Sequence, residues 1–240
     1  MSRIYGANAI IELLQAAPRA VARVLVASED DPATARVLEL ARANGVEIAR
    51  AGADRQARSG SRGGSALGAD LRPPPQLDPA DLRAAPGRDL VVALDQVTDP
   101  HNLGAIVRSA GAFGACAVIV PKDRSAPLND AAVRASAGAI AYVPIARVTN
   151  LARALRELGQ QGFWSVAADA EATGTFWDLD LRAPTVLVMG AEGTGIRPAV
   201  RKACDLAAAF PLAGPVGSLN VSVAAGIALA EVARQRAAPA

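Results

Sequence analysis

The sequence predicts an α/β protein in which a small N-terminal α/β domain precedes a larger domain with a mostly parallel sheet. Short apolar runs of Val, Leu, Ile and Ala alternate with amphipathic helical segments along most of the 240 residues, which is typical of this class. A proline-rich stretch over residues 73–88 divides the chain, because consecutive prolines are stiff and continue neither a helix nor a central strand. Aromatic residues make up only 3% of the chain, so the core is expected to be aliphatic.

The first domain is predicted to span residues 1–72. A helix is expected over Ile4–Leu14, whose apolar side chains share one face, and a second over Asp31–Asn44, where Pro32 suits the first turn. Three short apolar runs predict strands at Ala22–Ala27, Val46–Ala51 and Ser65–Leu71. Residues 53–64 are rich in Arg, Ser and Gly and are predicted to form a loop.

The second domain is predicted to span residues 89–240, after a linker of residues 73–88. Its strands are apolar along their whole length, which indicates a parallel sheet covered by helices on both faces. The predicted strands are Leu90–Leu94, Ala115–Val120, Ala141–Ile145, Phe163–Ala168, Thr185–Met189 and Ala207–Pro211. The predicted helices are Asn102–Phe113, Ala131–Ala139, Asn150–Gln161, Arg197–Ala203 and Ser222–Arg236. Ligands of such sheets bind in the loops that follow the carboxyl ends of the strands.

The composition excludes several classes of protein and site. The formal net charge is +2, so any binding of nucleic acid has to come from a local patch. The two cysteines lack metal-ligand spacing and predict a reducing compartment without disulfides, and a single histidine, His101, excludes a multi-histidine metal site within one chain. No apolar run approaches the roughly 18–20 residues that span a bilayer, and the N-terminus has no signal core. We therefore expect a cytoplasmic protein with no metal and no membrane partner.

Three segments follow predicted strands and contain polar residues and glycines. Neither a buried core nor an ordinary helix requires these residues. The first is Asp95–Gly114, where a helix begins close to Asn102 and includes Arg108. Both side chains lie beside an apolar helix face, where an unpaired polar group is costly. The structural alternative is that Asn102 caps the helix and that Arg108 is a surface residue.

The second segment is Val186–Pro198, in which an apolar strand runs into Gly190, Glu192, Gly193 and Gly195. Three glycines permit positive φ and a close approach of the backbone to a ligand, although a plain tight turn would use them as well. The spacing GxxGxG differs from the dinucleotide fingerprint GxGxxG, and no lysine completes a phosphate loop. The carboxylate among the glycines favours a functional role.

The third segment is Phe210–Asn220, an irregular loop that leads into the predicted terminal helix. Ser218 and Asn220 are small hydrogen-bonding residues at the start of that helix, where N-capping is the default explanation. Taken singly, this segment has a structural explanation. The occurrence of all three segments in one chain is what indicates a common site.

Together and in this order, the three segments resemble the signature motifs of the SpoU family of RNA ribose 2′-O-methyltransferases. The first motif has the form DPxNxGxxxRxAxAFG, the second has the form GxEGxG, and the third is a proline-containing loop that ends in SLNVSxA. The matching residues are Asp99, Pro100, Asn102, Gly104, Arg108, Ala110, Ala112, Phe113, Gly114, Gly190, Glu192, Gly193, Gly195, Ser218, Leu219, Asn220, Val221, Ser222 and Ala224.

The resemblance implies S-adenosylmethionine as the cofactor, bound in a deep trefoil knot formed by the second and third motif loops, in a homodimer that needs no metal. The residues expected to line the cofactor pocket are Gly190, Phe210, Leu212 and Leu219. Asn102 and Glu192 are expected to organise the motif loops. Ser218 and Asn220 are expected to hydrogen-bond near the reacting groups.

Arg108 matches the residue that the family's proposed mechanism uses as a general base. Arginine is effectively always protonated, with a pKa above about 12. We therefore expect Arg108 to act electrostatically, by binding a substrate phosphate and stabilising the developing 2′-alkoxide while water takes the proton. His101 is the alternative candidate for the general base, because histidine titrates in the required range. The structural alternative is that His101 is an ordinary loop histidine with no catalytic role.

Further segments are similar to the branch of the family that methylates a guanosine ribose in bacterial 23S rRNA. They are Val118–Asn129, Ser136–Asn150 and the start of the chain at Ile4–Gly6, which is similar to that branch's small RNA-binding domain. One departure is that Gly64–Ala66 stands where that branch usually carries a Gln-His-Gly turn. The arginines of the surrounding region offer a local patch for RNA phosphates, with a solvated loop as the alternative. These arginines are Arg55, Arg58, Arg62 and Arg72.

Other functions remain open on the sequence alone. The same chemistry on a tRNA or another RNA is the nearest alternative, although the extra N-terminal domain favours 23S rRNA. A catalytically silent RNA-binding homologue would require a lost motif residue, and none is lost. A nicotinamide-dependent oxidoreductase would require GxGxxG and an acidic partner for the ribose, and both are absent from the sequence.

Overall fold

The computed structural model describes residues 3–27, 32–50, 67–73, 75, 77–87 and 89–237, which form two β-sheets with helices packed on them. The strands are β1 (Arg3–Tyr5), β2 (Val21–Val26), β3 (Glu47–Arg50), β4 (Leu67–Leu71), β5 (Leu90–Asp95), β6 (Ala117–Pro121), β7 (Ile145–Val148), β8 (Trp164–Ala168), β9 (Thr185–Gly190) and β10 (Leu206–Ala208). The α-helices are α1 (Ala7–Ala16), α2 (Pro32–Ala43), α3 (Pro100–Ala112), α4 (Asp130–Ala135), α5 (Leu151–Gln160), α6 (Pro198–Arg201) and α7 (Val221–Ala237).

The first sheet has the strand order β1-β4-β2-β3 and belongs to the N-terminal part of the chain. Strand β4 runs antiparallel to both of its neighbours, and β2 and β3 run parallel. Helices α1 and α2 are amphipathic, and the side chains of Ile10, Leu13 and Val37 on their inner faces are buried. A small α/β domain at the N-terminus is therefore confirmed.

The second sheet has six strands in the order β10-β8-β9-β5-β6-β7, and every neighbouring pair is parallel. Side chains on successive residues of a strand point to opposite faces. On β5, Leu90 and Val92 belong to one core cluster, whereas Val91 and Ala93 belong to a second cluster that includes Leu155 of α5. Helices therefore cover both faces of the sheet, as the uniformly apolar strands predict.

The predicted helix over Ile4–Leu14 is wrong in its first part. Residues Arg3–Tyr5 form strand β1, in which Ile4 pairs with Ala69 of β4 and is 2% exposed. Helix α1 begins only after Gly6, whose φ of 94° lies in a region that other residues rarely adopt. A three-residue strand is too short to show the period-two pattern, and the spacing of Ile4 from the apolar residues of α1 also fits a helical face.

The predicted strand over Ala141–Ile145 is also wrong. Ala139–Ala141 form a 3₁₀ turn, and the strand of this region, β7, begins at Ile145. Pro144 has no N–H to donate to a ladder, and its carbonyl only accepts a bond of 2.9 Å from Val118 N. The other predicted elements of this domain are present with small shifts at their ends. The larger shifts are at α4, which ends at Ala135, and β10, which ends at Ala208.

Part of the proline-rich stretch packs against the second domain. Leu82 is fully buried in the same core cluster as Leu151 and Leu158 of α5, and Ala84 N donates to Gln161 O over 3.4 Å. The described residues of the first domain also contact the second, because a Cβ built on Gly138 would lie 3.6 Å from both Ile4 Cδ1 and Leu13 Cδ2. The bounds 1–72, 73–88 and 89–240 stay a prediction.

Candidate functional site

The site lies at the carboxyl edge of the parallel sheet, at the point where the order of the strands reverses. Strands β6 and β7 lie on one side of β5, and the later strands β8, β9 and β10 lie on its other side. Strand β5 pairs with β6 on one side and with β9 on the other, and Asp95, the last residue of β5, lies opposite Gly190, the last residue of β9. The loops that follow these two strands carry the first and second motifs. Crevices at such reversal points are the usual ligand sites of open parallel sheets.

Asp99, and not Asn102, caps helix α3. The Asp99 carboxylate accepts a hydrogen bond of 3.0 Å from His101 N, and Pro100 occupies the first position of the helix, which is the preferred combination for a helix start. The alternative that Asn102 is the cap is therefore wrong. Because Asn102 lies inside the first turn, its side chain is available to groups outside the helix.

Glu192 joins all three motif segments. Its Oε1 accepts hydrogen bonds from Asn102 Nδ2 at 3.1 Å and from Asn220 Nδ2 at 2.5 Å. It also lies 3.5 Å from the backbone N of Val221. Hydrogen bonds to an ionised carboxylate are shorter and stronger than those between neutral groups, so one exposed side chain holds the three loops together.

Asn220 has two roles at once. Its Oδ1 caps helix α7 by accepting from Ser222 N at 2.9 Å and from the Ser222 hydroxyl at 2.6 Å, as the default explanation for an asparagine at this position requires. Its Nδ2 donates to Glu192 and also to Asn102 Oδ1 at 3.0 Å. The start of α7 is therefore fixed to the start of α3 through a pair of asparagines.

The glycines of the second motif shape a tight turn rather than an open loop. Ala191 and Gly195 exchange backbone hydrogen bonds of 3.0 and 2.9 Å, and Gly193 and Gly195 have φ values of 78° and 65°. Gly190 is required for a different reason, because a Cβ at that position would lie 2.3 Å from Gly195 C. The turn places Glu192 at its tip, beside Asn102 and Asn220.

An open cleft of about 1110 Å³ lies next to this network. Its walls are the second and third motif loops together with the ends of β8 and β9. Most of the predicted site residues line it; these are Gly190, Glu192, Phe210, Leu212, Ser218, Leu219 and Asn220. Asn102 is not part of the lining and reaches the cleft through its bonds to Glu192 and Asn220.

Phe210 is held in place by other aromatic rings. Its ring stacks on that of Phe176, with centroids 4.4 Å apart and an angle of 7° between the planes. The half-exposed ring of Trp177 packs against it at 6.1 Å with a tilt of 57°. In a chain with few aromatic residues, three of them meet at one edge of the cleft, where they stiffen the start of the third motif loop.

The sequence did not single out an ion pair that anchors the second motif loop. Asp95 is fully buried and accepts bonds from Arg197 Nε at 2.8 Å, Arg197 Nη2 at 2.6 Å and Arg197 N at 2.8 Å. On the cleft wall, Arg201 Nε donates to Asp169 at 3.0 Å. A charged residue that directly ends a buried apolar strand is the signal that identifies both carboxylates, since Asp95 ends β5 and Asp169 follows β8.

Arg108 is not part of the cleft. Its side chain is exposed on α3, and among the described residues no carboxylate forms an ion pair with it. His101 is likewise exposed and outside the cleft lining. Arg72 is exposed directly after β4. The remaining predicted RNA-binding residues, Arg55, Arg58 and Arg62, lie outside the described residues.

The described part of the chain offers few other reactive groups near the site. No cluster of three or more His, Cys, Asp or Glu side chains within it is arranged to hold a metal ion. Burial raises the pKa of Cys204 to about 12, so this thiol, whose Sγ lies 3.3 Å from Val200 O, stays protonated at neutral pH. No helix in the ranges described combines the length and the hydropathy needed to cross a membrane.

Family models match both domains. The SpoU rRNA Methylase family matches residues 89–230, and a model for RNA 2′-O ribose methyltransferase substrate binding matches residues 3–56. The 23S rRNA (guanosine-2′-O-)-methyltransferase RlmB of Pseudomonas aeruginosa is 43% identical, over 98% of this chain and 96% of its own. RlmB of Pasteurella multocida is also 43% identical, over 98% of both chains.

Solved structures agree with these matches. The SpoU methyltransferase AviRb from Streptomyces viridochromogenes in complex with AdoMet has a TM-score of 0.75 and 28% identity, and the match covers 98% of this chain and 89% of that one. The AdoMet-bound rRNA methyltransferase from Sinorhizobium meliloti has a TM-score of 0.75 and 26% identity, with 97% and 87% covered. From its motifs, its fold and these matches, the chain belongs to the SpoU rRNA methylase family.

Proposed function

We propose that this protein transfers the methyl group of S-adenosylmethionine to the ribose 2′-oxygen of a guanosine in 23S rRNA. The observation that carries the proposal is the bridge that Glu192 forms between Asn102 and Asn220, which assembles the three motifs at the reversal point of the sheet. The identity of 43% to RlmB proteins over nearly the whole chain supports 23S rRNA guanosine as the substrate.

The cleft suits S-adenosylmethionine in size and in chemistry. Its volume of about 1110 Å³ accommodates a ligand of this size. The exposed backbone of the third motif loop offers N–H and C=O groups for a base, Leu212 and Leu219 offer apolar contacts, and Asp169 and Glu171 add carboxylates to the lining. When bound, the cofactor supplies a methyl group that is already activated by its cationic sulfonium.

The residues of the site have separate tasks in this proposal. Asn102, Glu192 and Asn220 hold the motif loops in one arrangement, so that the reacting groups meet without reorganisation. Gly190, Phe210, Leu212 and Leu219 form the cofactor pocket, and Ser218 hydrogen-bonds near the reacting groups. The knot that the family forms from the second and third motif loops is part of the same proposal.

We assign Arg108 an electrostatic task. A guanidinium is a cation that does not act as a base in proteins, so Arg108 holds a substrate phosphate and stabilises negative charge on the 2′-oxygen while water accepts the proton. Arg108 lies outside the cleft of its own chain, on the exposed side of α3. We therefore propose a homodimer in which Arg108 acts close to the partner subunit.

The N-terminal domain is proposed to bind the rRNA. The proposed source of positive charge is Arg55, Arg58, Arg62 and Arg72. The match of residues 3–56 to a substrate-binding model supports an RNA-binding role for this domain. Ribosomal RNA as a substrate places the protein in the cytoplasm, and neither a metal nor a membrane is required by the reaction.

Single-turnover transfer of labelled methyl groups to 23S rRNA, followed by mapping of 2′-O-methylated positions, tests the proposal. We expect one modified guanosine, a large loss of rate in Arg108→Ala and a small effect of His101→Ala. Loss of transfer in His101→Ala with near-normal Arg108→Ala would overturn the assignment of Arg108. Methylation of tRNA in place of 23S rRNA would overturn the assignment of the substrate. A protein that binds RNA but transfers no methyl group would overturn the assignment of enzymatic activity.

The proposed dimer has its own test. Sedimentation velocity of the active protein should give the mass of two chains. A monomeric profile for active protein would remove the basis for placing Arg108 at the partner's site.

A further inference from the structure

A second cleft, of about 570 Å³, opens at the same edge of the parallel sheet as the cofactor cleft. We call it the lateral cleft. One wall is the segment 77–79 of the proline-rich stretch, and the others are the residues that follow β6 and β7 and the first two turns of α5. Its lining is mostly polar: Leu77, Asp78, Pro79, Lys122, Arg147, Val148, Thr149, Asn150, Arg153, Ala154 and Glu157. Neither the three motifs nor the predicted arginine patch includes any of these residues.

The charges of the lateral cleft are not balanced. Arg153 is already paired with Glu157, at 2.7 Å, and the Asp78 carboxylate accepts the backbone N–H of Ala80 at 3.0 Å. Arg147 lies on β7 and Lys122 directly follows β6, and in the described ranges neither forms an ion pair with a carboxylate. The charged residues of the lining are therefore three cations and two anions, with a net charge of +1, and the two cations Lys122 and Arg147 have no ion-pair partner among the described residues.

The positions of the two cations are built into the fold. Arg147 lies on β7 opposite Val120 of β6, and Lys122 directly follows β6, with its N–H bonded to Val148 O at 2.8 Å. The guanidinium of Arg147 approaches Ala126 O at 3.5 Å, and Ala126 N is bonded to Val97 O at 2.8 Å, in the loop that follows β5. The backbone around the lateral cleft is thus tied to the first motif loop.

The distance to the cofactor cleft suits one continuous ligand. Strands β7 and β9 are three steps apart in the sheet order, which corresponds to roughly 14 Å at the usual spacing between strands. Both clefts open at the carboxyl edge. A nucleic-acid strand whose ribose is placed at the cofactor cleft carries phosphates on either side of that ribose, and phosphates are the groups that arginine and lysine hold on RNA.

We propose that Lys122 and Arg147 bind a backbone phosphate of the RNA substrate in the lateral cleft, one or a few nucleotides from the ribose that is methylated. This inference rests on the proposed function, because it takes RNA as the ligand. It gives the methyltransferase domain its own RNA contact, separate from the arginines of the N-terminal domain. Such a contact fixes the position of the strand and adds no base specificity.

Binding of 23S rRNA made by transcription in vitro, measured over a range of salt concentrations, tests the inference. The variants are Lys122→Ala and the double variant Lys122→Ala/Arg147→Ala. The matched control is Arg156→Ala, an exposed arginine of α5 that lies outside the lateral cleft. We expect Lys122→Ala to weaken binding by roughly threefold and the double variant to weaken it by roughly tenfold. Because the proposal involves one phosphate, the double variant should reduce the slope of log affinity against log salt by about 0.7–0.9, and the single variant by less.

Affinity for S-adenosylmethionine, measured by calorimetry, should not change in any of these variants. Lys122→Ala guards against a folding defect, because the Lys122 side chain has no partner among the described residues whereas Arg147 helps to hold a loop. Affinity and salt slope equal to those of the Arg156→Ala control would overturn the inference. If the cleft variants bind the rRNA more weakly than wild type as expected, but the wild-type protein fails to methylate it, the proposed function is overturned and the inference stands.

Discussion

The guanidinium of Arg197 donates two hydrogen bonds to Oδ1 of the buried Asp95 carboxylate, from Nη2 at 2.6 Å and from Nε at 2.8 Å. The backbone N of Arg197 donates a third, to Oδ2, at 2.8 Å. Asp95 ends the strand before the first motif, and Arg197 follows the glycine turn of the second. The pair thus connects the first motif loop to the second at a buried position. Glu192, which connects the same loops through Asn102 and Asn220, lies at the exposed tip of the glycine turn.

We predict that Asp95→Asn weakens both folding and cofactor binding. The substitution leaves the Arg197 guanidinium, whose side chain is 41% exposed, without its carboxylate partner, and loss of hydrogen bonds to a charged group costs about 1.5–3 kcal/mol. The melting temperature should fall by about 3–12 °C, and affinity for S-adenosylmethionine should fall by calorimetry. The control is Asp180→Asn, since Asp180 pairs with Arg182 on the surface. An equal and small effect of both variants would contradict an anchoring role for Asp95.

We predict that Glu192→Gln slows methyl transfer with little loss of stability. The glutamine keeps the size of the side chain but removes the charge that strengthens the bonds from Asn102 and Asn220. Hydrogen bonds to a charged group are stronger than neutral ones by about 1–2 kcal/mol, so the single-turnover rate should fall roughly tenfold. Glu39→Gln, at an exposed position of α2, serves as the control. A rate within twofold of wild type would show that the charge of Glu192 is not needed.

We predict that Gly190→Ala abolishes cofactor binding. The added Cβ would lie 2.3 Å from Gly195 C and 2.5 Å from Ile196 N, and both contacts are with backbone, so the glycine turn has to move. Gly159→Ala is the matched control, because a Cβ on Gly159 of α5 meets no atom within 4 Å and alanine favours a helix by up to about 1 kcal/mol. Calorimetry with S-adenosylmethionine should show binding only in the control. Normal affinity in Gly190→Ala would mean that the turn adapts.

Most of the fold could be predicted because the parallel sheet has a strong sequence pattern. Strands such as β5 and β9 are apolar on both faces and are bounded by helical segments, so their positions follow from the pattern alone. The three motif segments could be located for the same reason, since each follows a strand. The strand order, and with it the reversal point, is given by the structure. Strand β1 could not be predicted, because its pairing with β4 depends on residues far along the chain.

The sequence predicts which residues form the site better than it predicts the hydrogen bonds between them. A sequence shows that Asn102 stands near a helix start but not that Asp99 takes the cap and frees the Asn102 amide for Glu192. Asp95 and Arg197 are far apart in sequence, and their pairing follows only from the register of β5 against β9. The position of Arg108 outside the cleft likewise depends on which face of α3 packs inward.

We predict that the N-terminal domain loses stability in acid through Asp70. The Asp70 side chain is 3% exposed and lies between Arg3 and Arg23. Burial acts to raise the pKa of Asp70, but the hydrogen bonds from Arg23 and Arg3 outweigh it and hold the pKa below its usual value. A depressed pKa in the folded state means that this stabilisation is complete above the unfolded pKa of about 3.9 and is lost as the pH falls through the folded value.

Urea unfolding of wild type and Asp70→Asn at several pH values measures this contribution. The free energy of unfolding of the variant should be lower by about 1–3 kcal/mol at pH 7, and the difference should shrink as the pH falls from about 5 to about 3. Asp81→Asn, at an exposed position outside the first sheet, corrects for the general effect of removing a carboxylate. A difference between wild type and Asp70→Asn that stays constant over this range would show that the Arg3–Asp70–Arg23 cluster does not set the acid stability of the domain.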